Sequence, residues 1–368
     1  MSSYRIEEVG ALGLSTEDVV SFIGREWKRE VVLERSAFYR WQFKATPEAG
    51  GIDRSLVVLD DKNSVIGFMG VTPRPFYLEN RRCEAAELTT WVISEAARGQ
   101  GLGKQIVARL QETYEAILGL GVTDFAQRIY IPAGIRYFRY IPRFIRIYDL
   151  MALGALAKAE RLGERLVEQY AAVATVPPYD VTAVTAAKLA AYVEAPEKSF
   201  NCLSREPDYM RWRYDEHPIY RHEAYLIECD GHKAGLVVRR EDKDGVVLLH
   251  LLEAFGNPAA LPSAVAQVDR LAADAGAAAA DFYCTSYRIT SQFWAAGWFS
   301  AVDDDSMLRV AHLLYPVELR SPATKSLILW SRHDMSAMLN LGNLYFTKGD
   351  CDFDRPTGAY IAEKEIAP

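Results

Sequence analysis

The residues with the clearest chemical potential form a glycine-rich segment near residue 100. Three glycines within five residues let the backbone turn and present successive N–H groups without obstruction by side chains. An amphipathic helix is predicted directly after them, and the N–H groups at a helix N-terminus favour an anion. Two flanking cations add positive charge. The segment therefore predicts a phosphate-binding loop, made of Arg98, Gly99, Gln100, Gly101, Leu102, Gly103 and Lys104.

The spacing of this loop excludes two common phosphate-binding motifs. A P-loop requires Ser or Thr after its lysine, but Lys104 is followed by Gln105. A dinucleotide-binding loop would require glycine at position 106, which is Ile106. The remaining pattern is R-x-x-G-x-G. With it, residues 1–150 resemble the GNAT superfamily of acyl-CoA-dependent N-acyltransferases, in which Q/R-x-x-G-x-G/A follows the fourth strand and holds the CoA pyrophosphate.

The resemblance implies an enzyme with acyl-CoA as its co-substrate (acetyl-CoA, a short-chain acyl-CoA or a hydroxyacyl-CoA) and no metal. It also implies that Trp91, Val92 and Ile93, at the end of the preceding strand, pair through their backbone with the pantetheine arm. In this family a tyrosine on the helix after the fifth strand often protonates the departing thiolate. Tyr137 and Tyr140 are the candidates that the resemblance suggests, although the family's usual Tyr-x-x-x-Gly-Phe ending is absent.

Transfer of an acyl group from a thioester to an amine requires the amine to be neutral. An amine with a pKa of about 8 is roughly one-tenth neutral at pH 7, so positioning the amine at the carbonyl can suffice. A general-base candidate still exists. Glu87 precedes Arg98 by eleven residues, at the predicted start of the central strand, where partial burial of its carboxyl group would favour base catalysis. Whether Glu87 or water accepts the proton is open, and Glu84 and Glu95 are weaker candidates.

An internal repeat divides the chain. Trp41 and Trp212 stand in similar segments 171 residues apart, and Pro47 and Pro218 repeat that offset. We therefore expect an α+β protein of two tandem domains, each a mixed, mostly antiparallel twisted sheet flanked by helices. The predicted divisions are an N-terminal domain over 1–150, a linker helix over 151–176, a second domain over 177–314 and a C-terminal extension over 315–368 that packs on both.

The two copies differ at the loop. The first is predicted to have its central strand at Leu88–Ile93, a helix from Lys104 to about Leu118 and a further strand at Asp124–Ile129. In the second copy, the predicted central strand Val246–Leu252 leads into residues 253–259, which have neither the arginine nor the paired glycines. Only the first copy is therefore expected to bind CoA, and the second is expected to form a wall of the acceptor site, because pockets favour domain interfaces.

Two groups of charged residues are candidates for acceptor binding. Arg136 and Arg139 belong to an arginine-rich run suited to an anionic ligand. Asp350, Asp352 and Asp354 can accept hydrogen bonds from sugar hydroxyls or an ammonium group, and their spacing lacks the glycine and closing glutamate of a calcium loop.

The repeat together with its tail resembles tandem GNAT enzymes of surface-polysaccharide biosynthesis. That resemblance implies an acceptor such as a dTDP-amino-dideoxy sugar, attacking acyl-CoA directly in a ternary complex. Two alternatives remain: an acyltransferase for a peptide, antibiotic or polyamine amine, and a non-catalytic CoA-binding regulatory protein.

Composition excludes several classes of function. With 42 Lys and Arg against 49 Asp and Glu, the net charge is −7, so a broad basic face for nucleic acid is not expected. We expect no membrane insertion and no export signal. The five cysteines are scattered without a CxxC, which predicts neither a disulfide framework nor a zinc site. A cytoplasmic enzyme, monomeric or dimeric, is the resulting expectation.

Overall fold

A computed structural model describes residues 4–27, 31–153, 157–159, 176–301, 308–310, 325–333, 335–350 and 354–363. The strands are β1 Arg5–Glu8, β2 Leu56–Leu59, β3 Val65–Pro73, β4 Phe76–Leu78, β5 Arg81–Cys83, β6 Ala85–Ile93, β7 Ala116–Leu120, β8 Arg136–Phe138, β9 Arg143–Ile147, β10 Ala157–Ala159, β11 Asp180–Val184, β12 Asn201–Leu203, β13 Glu223–Cys229, β14 His232–Lys243, β15 Val246–Gly256, β16 Ala277–Tyr283, β17 Phe299–Ala301, β18 Leu308–Val310, β19 Leu327–Ser331 and β20 Leu344–Tyr345. The α-helices are α1 Val9–Leu12, α2 Thr16–Glu26, α3 Ser36–Phe43, α4 Leu102–Thr113, α5 Asp124–Tyr130, α6 Leu150–Leu153, α7 Ala186–Tyr192, α8 Pro207–Met210, α9 Leu261–Ala275, α10 Tyr287–Ala295 and α11 Gly358–Glu363.

The first sheet has the order β1-β2-β3-β6-β7-β19-β8 and is antiparallel except for the parallel pair β6 and β7. Helices cover both faces of this sheet. Because successive side chains of a strand point to opposite faces, each strand contributes residues to both helix-covered faces. Leu56 and Val58 of β2 face the cluster that contains α4, while Val57 and Leu59 face α2 and α3. This two-sided burial explains why β2 is apolar throughout.

The second sheet has the order β11-β13-β14-β15-β16-β9-β17, again with one parallel pair among its central strands, β15 and β16. Helix α9 packs on it through a face that includes Leu261, Val265 and Val268. Each sheet is mostly antiparallel and flanked by helices, so the predicted α+β class is confirmed. Among the described residues, no helix combines the length and apolar character needed to span a bilayer.

The two halves exchange a strand. Strand β9, from the first half of the chain, lies between β16 and β17 in the second sheet. In return β19, from the C-terminal segment, lies between β7 and β8 in the first sheet. The predicted boundaries at residues 150 and 315 therefore separate these strands from the sheets to which they belong, and the C-terminal segment is part of a sheet as well as packing on it.

Several predicted elements between residues 104 and 140 are wrong. The helix expected to reach Leu118 ends at Thr113, and Ala116–Leu120 is a strand. Asp124–Tyr130, whose first six residues were expected to be a strand, is a helix, and residues 133–140, expected to be a helix, contain strand β8. The apolar run at 116–120 continues the pattern of α4, and periodicity alone does not separate a buried strand from a helix.

The predicted linker helix over 151–176 is also wrong in its described part. Helix α6 ends at Leu153, and Ala157–Ala159 is a strand that pairs with Leu308–Val310. Residues 160–175 lie outside the described residues.

Candidate active site

The first feature of the site is an opening between two strands. The parallel pairing of β6 with β7 runs from Ala85–Ala116 to Leu88–Gly119, while β6 continues to Ile93. Beyond Leu88, β6 pairs only with β3 among the described strands, and that pairing has an irregularity at Gly70. One edge of Thr89–Ile93 is therefore available to an extended ligand, which can bind a strand edge through main-chain hydrogen bonds.

The glycine-rich loop follows this edge directly. Gly99 and Gly101 both have a φ of +79°, a conformation that side-chain-bearing residues rarely adopt, and Gly101 immediately precedes α4. The Arg98 Nε donates a hydrogen bond to the carbonyl oxygen of Ile93 at 3.1 Å, which ties the loop to the strand end. Lys104 is exposed in the first turn of α4. The loop thus presents a helix N-terminus and two cations beside the open edge.

Gly103 lacks a side chain for a different reason from Gly99 and Gly101. It is buried, and a Cβ there would lie 2.7 Å from Ile129 Cδ1 and 3.0 Å from Trp91 Cζ2. The absence of a side chain lets α4 approach α5 and β6 closely. In this packing the ring centroids of Trp91 and Tyr130 lie 5.4 Å apart.

Tyr130 is the tyrosine on the helix that follows the fifth strand of the sheet, and sequence reasoning missed it. It is buried, and burial raises its pKa, so its hydroxyl group stays protonated at neutral pH. The signal that could have found it is the N-cap, since Thr123 Oγ1 accepts a hydrogen bond from Ala126 N at 3.3 Å. Tyr137 lies instead on β8 and Tyr140, 47% exposed, follows that strand.

Glu87 lies on β6 before the opening, in a buried ion-pair network. Its Oε2 is 3.4 Å from the guanidinium group of Arg74, which is fully buried, donates to Ser204 O at 2.7 Å and lies 3.5 Å above the Tyr209 ring centre. The same guanidinium group is 2.9 Å from Asp350. Glu87 is thus held at the contact between the halves, a geometry suited to positioning β6, and its role as a base stays a prediction.

Comparison with known families addresses the first half of the site. Residues 19–128 match the model of the Acetyltransferase (GNAT) family. This segment is similar to GNAT acetyltransferases, and we call the half of the protein that contains it the GNAT domain. The match supports the predicted enzyme class, an acyl-CoA-dependent N-acyltransferase, with acyl-CoA as co-substrate. A search of curated proteins found no match.

Solved structures share the fold over most of the chain. A probable N-acyltransferase from Enterococcus faecalis V583 is 11% identical with a TM-score of 0.56, covering 88% of this chain and 72% of its own. A GCN5-related N-acetyltransferase from Kribbella flavida is 16% identical with a TM-score of 0.55 and coverages of 89% and 71%. One from Anabaena variabilis ATCC 29413 is 11% identical with a TM-score of 0.52 and coverages of 88% and 72%. At these identities the likeness concerns the fold.

The C-terminal segment joins the GNAT domain to the second half. Asp350 is completely buried and contacts Arg74 and Arg205, and its Oδ2 also accepts a hydrogen bond from Thr347 N at 2.9 Å. Arg205 lies 3.2 Å from Glu253 of β15. With its carboxylate engaged by two guanidinium groups, Asp350 holds the segment in place and does not face an open site. Asp352 lies outside the described residues.

Asp354 belongs to a second buried group, which we call the interface cluster and define as His217, Tyr220, His222, Arg239 and Asp354. Asp354 lies 3.1 Å from Arg239 and 3.6 Å from His222 Nε2. Burial opposes ionisation of Asp354, but Arg239 and His222 hold its pKa well below its usual range. Burial lowers the pKa of both histidines.

The interface cluster is incompletely hydrogen-bonded. Three buried polar atoms of the cluster lack a hydrogen-bond partner: His217 Nε2, Tyr220 Oη and Arg239 Nε. His222 Nε2 and Asp354 Oδ2 face each other at 3.6 Å, an ion-pair distance that is too long for a hydrogen bond. Buried polar atoms are normally paired, so such a concentration is unusual for a purely structural contact.

Two contacts join this cluster to the GNAT domain. The ring of Trp41 on α3 lies 4.6 Å from that of His217 and stacks on Trp212 at 4.7 Å. The guanidinium group of Arg355, next in the chain to Asp354, donates hydrogen bonds of 3.1 Å to Thr90 Oγ1 on the open edge of β6. The interface cluster therefore lies next to elements that carry the candidate reaction centre.

The corresponding opening in the second sheet is filled by the chain itself. Pairing of β15 with β16 ends at Leu251–Phe282, and the C-terminal segment lies beyond it. There Tyr345 Oη donates to Glu253 Oε2 at 2.7 Å and accepts from Ala254 N at 3.2 Å. The C-terminal segment thus contacts the edge of β15 that a ligand would otherwise reach. This arrangement is consistent with the expectation that only the GNAT domain binds CoA.

A buried polar group lies beside that filled opening. Lys348 Nζ is 3.0 Å from His250 Nδ1 and 3.8 Å from Asp281. Burial lowers the pKa of Lys348 to about 8 and that of His250 to about 4.

The two arginines that were predicted to bind an anionic acceptor, Arg136 and Arg139, do not lie on the same element as Asp354 or contact it. Arg136 and Arg139 are exposed on and just after β8, the edge strand of the first sheet, whereas Asp354 contacts β14 of the second sheet. The predicted acceptor residues thus lie on separate elements.

Proposed function

We propose that this chain transfers an acyl group from acyl-CoA to the amine of a nucleotide-linked amino sugar by direct attack in a ternary complex. One observation carries the acyl-CoA half of this proposal: the unpaired edge of Thr89–Ile93 runs straight into a loop with two glycines at φ +79°. A strand edge suits the amide-containing pantetheine arm, and the adjoining helix N-terminus suits a pyrophosphate.

We assign a chemical group of the protein to each step of the proposed reaction. Main-chain N–H groups along the open edge of β6 polarise the thioester carbonyl and stabilise the charge that develops on its oxygen. As the amine forms the new C–N bond and the C–S bond breaks, Tyr130, protonated at neutral pH, supplies the proton to the leaving thiolate. This assignment replaces Tyr137 and Tyr140 as our preferred acid.

Deprotonation of the amine has two routes. Glu87 is the base suggested by the sequence, but its carboxylate faces Arg74 in a buried ion pair. Water is the other acceptor, since about one-tenth of an amine with a pKa near 8 is neutral at pH 7. A Glu87→Gln variant distinguishes deprotonation by Glu87 from deprotonation by water. A lower kcat with an altered pH profile would identify Glu87 as the base, and an unchanged profile would identify catalysis by positioning.

The acceptor half of the proposal rests on the polarity around the opening. The interface cluster offers three buried polar atoms without hydrogen-bond partners, His217 Nε2, Tyr220 Oη and Arg239 Nε, which suit hydroxyl and amine groups. Arg136 and Arg139 are exposed, so their guanidinium groups can contact phosphate groups. These features favour a polar, phosphorylated acceptor over a polyamine, whose cationic groups would be repelled by the arginines.

The test measures thiol release from acetyl-, butyryl- and hydroxybutyryl-CoA with a panel of nucleotide-linked amino sugars, a peptide, an aminoglycoside and spermidine. We expect release only with a nucleotide sugar, and its loss in an Arg98→Ala/Gly101→Val double variant. Release only with the other amines would overturn the sugar assignment and leave the acyltransferase standing. CoA binding without transfer to any amine would favour a regulatory CoA-binding protein.

A further inference from the structure

A cysteine, a glutamate and a histidine that are far apart in the sequence meet at the place where β19 enters the first sheet. We call Cys83, Glu115 and His333 the seam cluster. Cys83 ends β5, Glu115 precedes β7, and His333 follows the end of β19 by two residues. One side-chain ligand atom from each residue lies within 4.8 Å of the other two, and His333 Nε2 is 2.8 Å from Glu115 Oε1.

The backbone holds all three residues in place. Glu115 O accepts from Arg332 N at 2.8 Å, and Glu115 N donates to Glu84 O at 2.8 Å. The Arg332 side chain donates to carbonyl oxygens at the end of α4, including that of Gln111 at 2.8 Å. The His333 N–H donates to Ser331 Oγ at 3.0 Å. Ligands held in this way need little reorganisation to bind a metal ion, which favours affinity.

We propose that the seam cluster binds a zinc ion. A thiolate, an imidazole nitrogen and a carboxylate oxygen are the donors that Zn²⁺ prefers, with a water in the fourth position. Bonds of about 2.0–2.3 Å to each donor require the three atoms to approach one another by roughly 1 Å from their widest separation. Glu115 and His333 are each about one-quarter exposed, which leaves room for the water.

The charges and protons balance. Binding releases the thiol proton of Cys83 to solvent. The hydrogen bond from the His333 Nε2–H group to Glu115 Oε1 is replaced by two metal bonds, because the Nε2 proton passes by solvent exchange to Nδ1 and leaves a neutral imidazole. Two anionic ligands and one neutral ligand then neutralise Zn²⁺. The backbone N–H of Glu84 donates to Glu115 Oε2 at 3.0 Å, so Oε1 is free to turn to the metal while Oε2 keeps this orienting bond. Arg81, now 3.1 Å from Oε1, is more than half exposed and can swing into solvent.

This zinc site lies far from the candidate reaction centre. The seam cluster stands before the first residues of β6 and β7, whereas the glycine loop follows the last residue of the nine-residue β6. At about 3.3 Å per residue, the two sites are about 25 Å apart. The ion would fasten the exchanged strand β19 to the GNAT domain. The sequence predicted no zinc site because strand exchange, and not local spacing, brings these ligands together.

The experiment titrates reduced, chelator-treated protein with ZnCl₂ alone by calorimetry, and with CoCl₂ by absorbance. We expect one equivalent of Zn²⁺, a rise in Tm, and a thiolate-to-cobalt charge-transfer band. His333→Gln should weaken Zn²⁺ binding at least tenfold and Cys83→Ser should remove the charge-transfer band. Two control variants change the same residue types elsewhere in the protein and should bind Zn²⁺ as the parent does: His232→Gln, at the exposed start of β14, and Cys229→Ser, at the buried end of β13.

Two outcomes would overturn the proposal. One is the absence of stoichiometric Zn²⁺ binding, and the other is binding that His333→Gln leaves unchanged. Because His333 is partly exposed, its variant decides the matter even where Cys83→Ser fails to fold. Acyl transfer by His333→Gln should equal that of the parent, so failure here is distinguishable from failure of the proposed function.

Discussion

Gly101→Ala tests whether the positive-φ loop binds the CoA pyrophosphate. A Cβ at Gly101 would meet no atom within 4 Å, so the substitution adds backbone strain without a steric clash. A left-handed conformation costs a non-glycine residue about 1–2 kcal/mol. If the variant loop relaxes away from φ +79° when free, that cost appears in binding, and the Kd for CoA rises about 5- to 30-fold.

Thermal unfolding with and without CoA measures this effect. At a CoA concentration 100 times its Kd, the parent gains about 2.7 kcal/mol of stability. A Kd raised about 30-fold reduces the gain to roughly 0.9 kcal/mol, so the CoA-induced stabilisation falls to about one-third.

The matched control for this experiment is Gly231→Ala. Gly231 has a φ of +78°, an equally open environment and a position in the turn between β13 and β14. The Gly231→Ala variant should be less stable than the parent without CoA but should show the same CoA-induced stabilisation. A Gly101→Ala variant that loses stability as Gly231→Ala does, yet keeps its whole CoA-induced stabilisation, would refute the assignment of the loop.

Three further predictions concern the acid and the buried charges. Tyr130→Phe should lower kcat about 10²- to 10⁴-fold at an unchanged KM for acyl-CoA, whereas Tyr137→Phe should keep kcat within a few-fold; equal losses in steady-state assays would contradict the choice of Tyr130. Arg74→Met removes the guanidinium group that contacts the buried carboxylates of Glu87 and Asp350 and should lower the free energy of unfolding in urea by about 3–5 kcal/mol, against less than 1 kcal/mol for the exposed Arg211→Met. The pKa of Lys348, lowered by burial to about 8, means that the unfolded chain binds the extra proton between pH 8 and its ordinary value of 10.5. The free energy of unfolding attributable to Lys348 should therefore rise with pH across that window, and a Lys348→Met variant with the parent's pH slope would show otherwise.

The parts of the site that depend on local chemistry were predictable from the sequence. Gly99 and Gly101 were expected to turn the backbone before a helix, and both have a positive φ there. The strand leading into the loop was expected to end at Ile93, as it does. In each case, the conformation follows from the residue itself or its immediate neighbours.

The parts that depend on distant chain segments were not predictable in this way. The strand Ala116–Leu120 is buried on both faces, so its sequence has no alternation to mark it as a strand, and its edge is covered by β19 from more than 200 residues away. Misplacing it shifted the predicted elements up to residue 140 and hid Tyr130. Asp350 and Asp354 were predicted to bind substrate because their carboxylates can accept hydrogen bonds from sugar hydroxyls or an ammonium group, but both are buried and paired with arginines on other elements.

Trp41 and Trp212, the equivalent residues of the predicted repeat, meet at the contact between the two halves of the protein, where their ring centroids lie 4.7 Å apart. A local two-fold arrangement of the two similar segments would produce this contact. The exchanged strands β9 and β19 follow the same reciprocal pattern. The two sheets differ at their openings: the C-terminal segment fills the opening of the second sheet and contacts Thr90 beside the opening of the first. Because one segment occupies one opening and borders the other, the arrangement supports our proposal that only the first sheet binds acyl-CoA and that this segment contributes to the acceptor wall.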